Sequence, residues 1–186
     1  MSKEKFSDKQ LNFTVKNKKV FYNITIQQTV YIAEILAEVI RPGDTVLLYG
    51  EIGSGKTFFS RAMIQKMMEK QGAVVEDIPS PTFTIVQIYD TLVPSVWHLD
   101  LYRISNPDEI IDLDLENALE KHVCLIEWPQ NMGLHVPERN ISISLEEILG
   151  SDFCAASAAS ASAIDPRTLA NLINIGKFTP AITSTL

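Results

Sequence analysis

The spacing of apolar positions changes repeatedly along this chain, and each change marks an element. Residues 20–26 (VFYNITI) read as a strand. From Thr29 the spacing becomes helical, with Val30, Ala33, Leu36, Ala37 and Ile40 on one face and Glu34, Glu38 and Arg41 turned outward. Pro42-Gly43-Asp44 ends that helix, and residues 45–49 form the short unbroken apolar run of a strand covered on both faces. Helical spacing returns over residues 58–71 through Phe59, Met63 and Met67, a stripe read as core, and stops at Gly72. An acidic connector follows at residues 73–79. Residues 84–89 and 96–101 are then strands separated by so short a turn that they must pair as an antiparallel hairpin. Ser105-Asn106-Pro107-Asp108-Glu109 opens a helix expected to run to about Leu119, because a cap residue, an early proline and acids suit the positive end of a helix. Residues 123–127 (VCLIE) are a buried-type strand ending in a carboxylate, and residues 140–145 are the last strand.

Strands alternating with helices predict an α/β domain over residues 20–150. Residues 1–19, polar and lysine-rich, are expected as a mobile tail. Beyond Gly150 the periodicity is lost: residues 152–163 are mostly Ala and Ser, and only residues 166–175 offer a short helix, so residues 151–186 are expected as a second tail.

Charge and cysteine use narrow the function. With 186 residues and a formal charge of −7, the chain lacks the basic excess of a protein that grips nucleic acid by its own surface. The 2 cysteines, Cys124 and Cys154, suggest no disulfide framework, and the 3 histidines, His98, His122 and His135, lack the spacing of a zinc site. No apolar segment follows the charged N-terminus and none is long enough to span a bilayer, so a cytoplasmic protein with no membrane partner is expected.

The candidate chemistry starts between the run at 45–49 and the helix at 58–71, where Gly50 to Thr57 reads GEIGSGKT. This fits G-x-x-x-x-G-K-[ST]: glycines that let backbone N–H groups face phosphate oxygens, a lysine for the terminal phosphates, and a hydroxyl for Mg²⁺. Such a site needs a carboxylate at the end of a buried strand, and Glu127 stands there. Strand alternation puts His98 and Asp100 on one face, where the pair could orient water or the metal shell; His98 either bonds Asp100 or packs structurally. Arg103 contacts a phosphate or neutralises a carboxylate. Ser80-Pro81-Thr82 lies in the interval where nucleotide switches sense a γ-phosphate, although an ordinary turn has the same composition. Two other uses of such a loop fit less well. A small-molecule kinase usually adds an arginine-rich lid, and only Arg139 and Arg167 follow Glu127; a GTP switch commonly carries N-K-x-D, which this chain lacks.

Taken together, GEIGSGKT, SPTFT, HLDLYR and LIEWP, in this order, resemble the bacterial family of small P-loop ATPases called TsaE, formerly YjeE, across about residues 26–145. The resemblance implies a P-loop NTPase-like three-layer α/β sheet with an antiparallel hairpin addition. It also implies slow ATP hydrolysis with Mg²⁺ in the service of tRNA threonylcarbamoyladenosine formation at position 37 of tRNAs reading ANN codons. The partners implied are a threonylcarbamoyl transferase subunit and its paralogous scaffold subunit, with tRNA reached only through them and ATP turnover resetting the complex. By position, Glu51, Ile52, Gly53, Ser54, Gly55, Lys56 and Thr57 would cradle the nucleotide, Thr57 and Glu127 would hold Mg²⁺, and Asp100 would be the acid needed for hydrolysis. Thr82 would belong to the nucleotide-responsive loop, Trp128 would adjoin the active site, and Ile26 and Gln27 would lie near the adenine. Beyond Leu145 the chain departs from the family pattern of a further strand and an arginine-bearing segment.

Overall fold

Apolar runs alternating with amphipathic helices are satisfied by a sheet covered on both faces, and the computed structural model, which describes residues 18–147 and 154–160, has that arrangement. In chain order the elements are β1 (Lys18–Ile24), α1 (Ile26–Val39), β2 (Thr45–Tyr49), α2 (Lys56–Lys70), β3 (Val86–Tyr89) and β4 (Val96–Asp100). A 3₁₀ segment (Pro107–Leu113) then precedes α3 (Leu115–Lys121) and β5 (Val123–Glu127). A second 3₁₀ segment (Pro129–His135), β6 (Asn140–Glu147) and β7 (Cys154–Ser160) complete the described chain.

The seven strands form one sheet in the order β1-β7-β6-β2-β5-β4-β3. Its centre, β6-β2-β5-β4, is parallel, and β3 is added antiparallel to β4 as the expected hairpin. All five residues of β5 are buried, as a parallel strand covered on both faces requires. Alternation splits the core in two. Val46, Leu48, Val123 and Leu125 face α1 and α2 with Leu36, Phe59 and Met63, whereas Leu47, Cys124 and Ile126 face Leu99, Ile110, Leu115 and Met132 on the opposite side. The Met and Phe stripe of α2 is therefore core.

The structure differs from the sequence reading in three places. First, α1 starts at Ile26 rather than Thr29. Thr25 Oγ1 accepts from Gln28 N at 3.2 Å and Gln28 Oε1 accepts from Thr25 N at 2.8 Å, a reciprocal cap that takes Ile26 out of the expected strand and puts it with Gln27 in the first helical turn. Second, the helix expected to reach Leu119 is broken. Asp114 adopts φ 53°, ends the 3₁₀ segment and begins α3. Third, residues expected in the tails join the sheet. Lys18 and Lys19 open β1, and 154–160 form β7 between β1 and β6, antiparallel to both. Residues 1–17 and the helix expected at 166–175 lie outside the described residues.

Burial without partners gives the fold an alkaline weakness. The Cys124 thiol is buried and pushed up to about 12 from 9.0, and the Tyr89 hydroxyl, buried with no hydrogen-bond partner, is pushed up to about 12 from 10.0, by burial first and then by the Glu76 carboxylate. Both groups keep their protons in the folded state over a range where the unfolded chain releases them. Their contribution is complete below the unfolded values and is lost as pH rises toward 12. The urea midpoint is expected to fall steadily above pH 9.0, and Cys124→Ala to make that fall shallower between 9.0 and 10.0. An unchanged slope in the variant would refute this account.

Candidate nucleotide-binding site

The loop between β2 and α2 has the conformation its glycines allow. A Cβ on Gly50 would stand 2.4 Å from both the Leu145 carbonyl and Ser54 Oγ, so only glycine passes there. Gly55, at φ 96°, is the N-cap of α2 and supplies no side-chain cap; the first turn of α2 carries no acid. The amides at this end of α2 therefore have no capping side chain and no acid of their own first turn competing for them. Ser54 Oγ is buried nearby without a hydrogen-bond partner.

Lys56 is 5% exposed, and its Nζ donates to the carbonyls of Gly50 at 2.7 Å and Glu51 at 2.8 Å while lying 4.0 Å from the centre of the Trp128 ring. Burial lowers its pKa, opposed by the carboxylates of Glu127, Asp100 and Glu51 in that order. Thr57 Oγ1 donates to Glu127 Oε2 at 2.9 Å, so the end of β5 meets the first turn of α2. The other Glu127 oxygen, Oε1, is 2.7 Å from His98 Nε2. His98 thus bonds Glu127 rather than Asp100. In the β4–β5 register His98 faces Leu125, and Glu127, two residues further on, is its diagonal neighbour on the same face.

Asp100 is buried at the end of β4. Its Oδ2 accepts from Thr82 Oγ1 at 2.5 Å and its Oδ1 from the Tyr102 amide at 3.0 Å. Thr82 Oγ1 is also 2.7 Å from Ser80 Oγ. The turn that holds Thr82 closes with Ile85 N donating to the Pro81 carbonyl, and Ile85 O accepts the Asp100 amide at 2.9 Å. Ile85 and Trp128 both have positive φ, 66° and 59°, an unfavourable conformation for such side chains and one that clusters at functional sites.

These groups surround an open cleft of about 330 Å³ lined by Ile52, Gly53, Gly55, Lys56, Thr57, Thr82, Asp100, Glu127 and Trp128 among the expected residues. Ser80, from the expected Ser80-Pro81-Thr82 loop, and two residues outside the expected set, Phe58 and Tyr102, complete the lining. Tyr102 lies against Trp128 with ring centres 4.9 Å apart; its place two residues after Asp100 was the available signal. Ile26 and Gln27 do not line the cleft, and Glu51 enters the site through its carbonyl. Arg103 points elsewhere, 5.7 Å from the Phe83 ring.

The donor set fits a nucleotide carrying Mg²⁺. Hard oxygen donors, one hydroxyl and one carboxylate, meet beside a loop of amides and a lysine. Among the described residues no group of three or more His, Cys, Asp or Glu could hold a metal by itself, so a cation here would draw the rest of its ligands from water and phosphate oxygens. No helix among the described residues is long and apolar enough to cross a membrane.

Comparison with known proteins agrees with this arrangement. The family described as threonylcarbamoyl adenosine biosynthesis protein TsaE matches residues 24–151. The Rickettsia felis tRNA threonylcarbamoyladenosine biosynthesis protein TsaE is 37% identical over 120 residues, 64% of this chain and 68% of that protein. The Bacillus subtilis protein of the same name is 31% identical over 120 residues, 64% of this chain and 72% of that one. The crystal structure of Bacillus subtilis YdiB superposes with a TM-score of 0.63 at 23% identity, covering 89% of this chain and 98% of that one, and shares the P-loop NTPase-like fold. With the family match spanning residues 24–151, well over half of the chain, the chain belongs to the TsaE family.

Proposed function

We propose that this chain binds and hydrolyses MgATP as an accessory subunit of the assembly that forms N6-threonylcarbamoyladenosine at position 37 of tRNAs reading ANN codons. Its ATP turnover resets that assembly, and it is not itself the threonylcarbamoyl transferase. The observation that carries the reading is the clasp of Thr57 on Glu127 at 2.9 Å beside Lys56. Relatives named for tRNA threonylcarbamoyladenosine biosynthesis support the pathway.

When bound, MgATP supplies a transferable phosphoryl group and a divalent charge that polarises it. The chain supplies placement. Residues Glu51 to Gly55 present backbone amides to the phosphates, and Lys56 exchanges the carbonyls of Gly50 and Glu51 for phosphate oxygens. Thr57 and Glu127 hold the cation. Asp100 orients the attacking water and takes its proton, and Trp128 covers the lysine. Thr82, hydrogen-bonded to Asp100, lets the loop at residues 80–85 respond to the nucleotide. Ile26 and Gln27, outside the phosphate cleft on the exposed first turn of α1, are kept as the adenine-side residues. The partners are the transferase subunit and its scaffold paralogue, tRNA is contacted through them, and the location is the cytoplasm.

Adding the purified transferase–scaffold pair is expected to raise ATP hydrolysis several-fold over the chain alone, with only free phosphate released. No stimulation by the pair, or phosphate transferred to a small acceptor, would overturn the proposal.

A further inference from the structure

On the sheet face opposite α1 and α2, the two 3₁₀ segments bound an open groove of about 240 Å³. Ile110 and Leu115, nearly fully buried, form its floor. Ile111 at 59%, Leu134 at 101% and Val136 at 36% exposure form its lips. The local sequence holds this shape in place. A reciprocal cap between Asn106 and Glu109 starts the first segment, and Asp114 at φ 53° ends it. Gly133 at φ 57° lets the second segment lie against Pro107, where a Cβ would come within 3.0 Å of the proline ring.

Three large apolar side chains presented around one concavity form a patch rather than scattered exposure, and such patches mark interaction sites. The charge around them specifies the occupant. Asp108, Glu109, Asp112, Asp114, Glu116 and Glu120 are all exposed along this stretch, with Lys121 as the sole basic residue from 107 to 121. Glu116 lines the groove itself, and Asp108 reaches its far wall, 3.9 Å from His135. A nucleic acid backbone would be repelled by this rim, and so would a second copy presenting the same face. A basic protein segment with an apolar tip meets both requirements.

The groove also hangs from the nucleotide site. Its second lip begins one residue after Glu127-Trp128, and Asn131 Nδ2 donates to the Leu101 carbonyl at 2.8 Å, next to Asp100. Trp128, whose ring lies 4.0 Å from Lys56 Nζ, and the groove lip at Leu134 and Val136 thus belong to one short segment. We propose that this groove docks a lysine- or arginine-rich segment of the transferase–scaffold pair, an apolar side chain inserting between Ile111 and Leu134, and that nucleotide state alters the fit through residues 128–136. The inference rests on the function proposed above and names the face that meets the partner.

The test measures binding of the purified pair by calorimetry, with ATP present, for the full chain and for Leu134→Asp and the double variant Asp112→Lys, Glu116→Lys. Leu134 is fully exposed and outside the nucleotide cleft, so melting temperature and ATP affinity should not change. Affinity for the pair is expected to fall about tenfold or more in Leu134→Asp. The charge variant should weaken binding and flatten its dependence on salt, since it removes the screened attraction. If both variants bind the pair as the parent does, the groove is not the docking face and the proposed function stands. A parent chain that does not bind the pair at all overturns both. A dimer of the parent in sedimentation, dissociated by Leu134→Asp, would instead assign the groove to a second copy and overturn the inference.

Discussion

Lys56→Ala is expected to weaken MgATP binding on the order of 100-fold while leaving the nucleotide-free protein as stable as the parent; hydrogen bonds to charged groups contribute about 1.5–3 kcal/mol each, and about 1.4 kcal/mol is a factor of ten. The two halves of this prediction have separate causes. Without nucleotide, Lys56 satisfies two carbonyls of its own loop but is buried against its charge, as its lowered pKa records. Removing it relieves that desolvation and leaves the carbonyls of partly exposed Gly50 and exposed Glu51 to water. With nucleotide, the same ammonium is the one basic side chain among the described residues that line the cleft, so none of them compensates its loss. Calorimetric titration with MgATP, and melting with and without it, read the two halves. Near-parent affinity would remove Lys56 from the phosphate site, whereas a collapse in stability without nucleotide would make its role structural.

Glu127→Gln is expected to lower hydrolysis by about 100-fold or more and to raise the Mg²⁺ needed for half-maximal rate, with metal-free ATP binding little changed. The amide keeps the size of a residue that is 2% exposed, but it cannot offer two anionic oxygens, one to Thr57 and one to His98. His98, with no exposure, orients that carboxylate. His98→Leu stays close to the side-chain volume and removes the bond, so it should shift the Mg²⁺ requirement by about tenfold, in the range for residues that position metal ligands, without moving the KM for ATP. A rate profile against Mg²⁺ for the three proteins checks both statements. An unchanged Mg²⁺ requirement in Glu127→Gln would take that residue out of the metal site.

How much of the site was legible depended on how far along the chain each feature reaches. The loop from Gly50 to Thr57 was readable because its chemistry is completed within itself: glycine conformations, amides and a lysine that folds back on the carbonyls of Gly50 and Glu51. Asp100 was readable by strand alternation and Glu127 as the carboxylate that ends an unbroken apolar run. Their convergence was not, because it requires β2, β5 and β4 to be adjacent and parallel. The partner of His98 stayed open between Asp100 and packing until the register made Glu127 its diagonal neighbour. Thr25 shows the reverse: its cap with Gln28 is a local signal, and it makes Ile26 the start of a helix where the apolar run reads as the end of a strand.

By itself, then, the sequence determined the α/β class, the hairpin and the phosphate loop, because alternation, helical spacing and glycine conformation act over a few residues. Tertiary structure alone decided the strand order, the break at Asp114, the groove between two segments distant in sequence, and β7. Residues 154–160 carry no hydrophobic period, and they become a strand because β1 and β6 offer unpaired backbone on either side; that demand comes from the sheet and leaves no mark in side-chain composition.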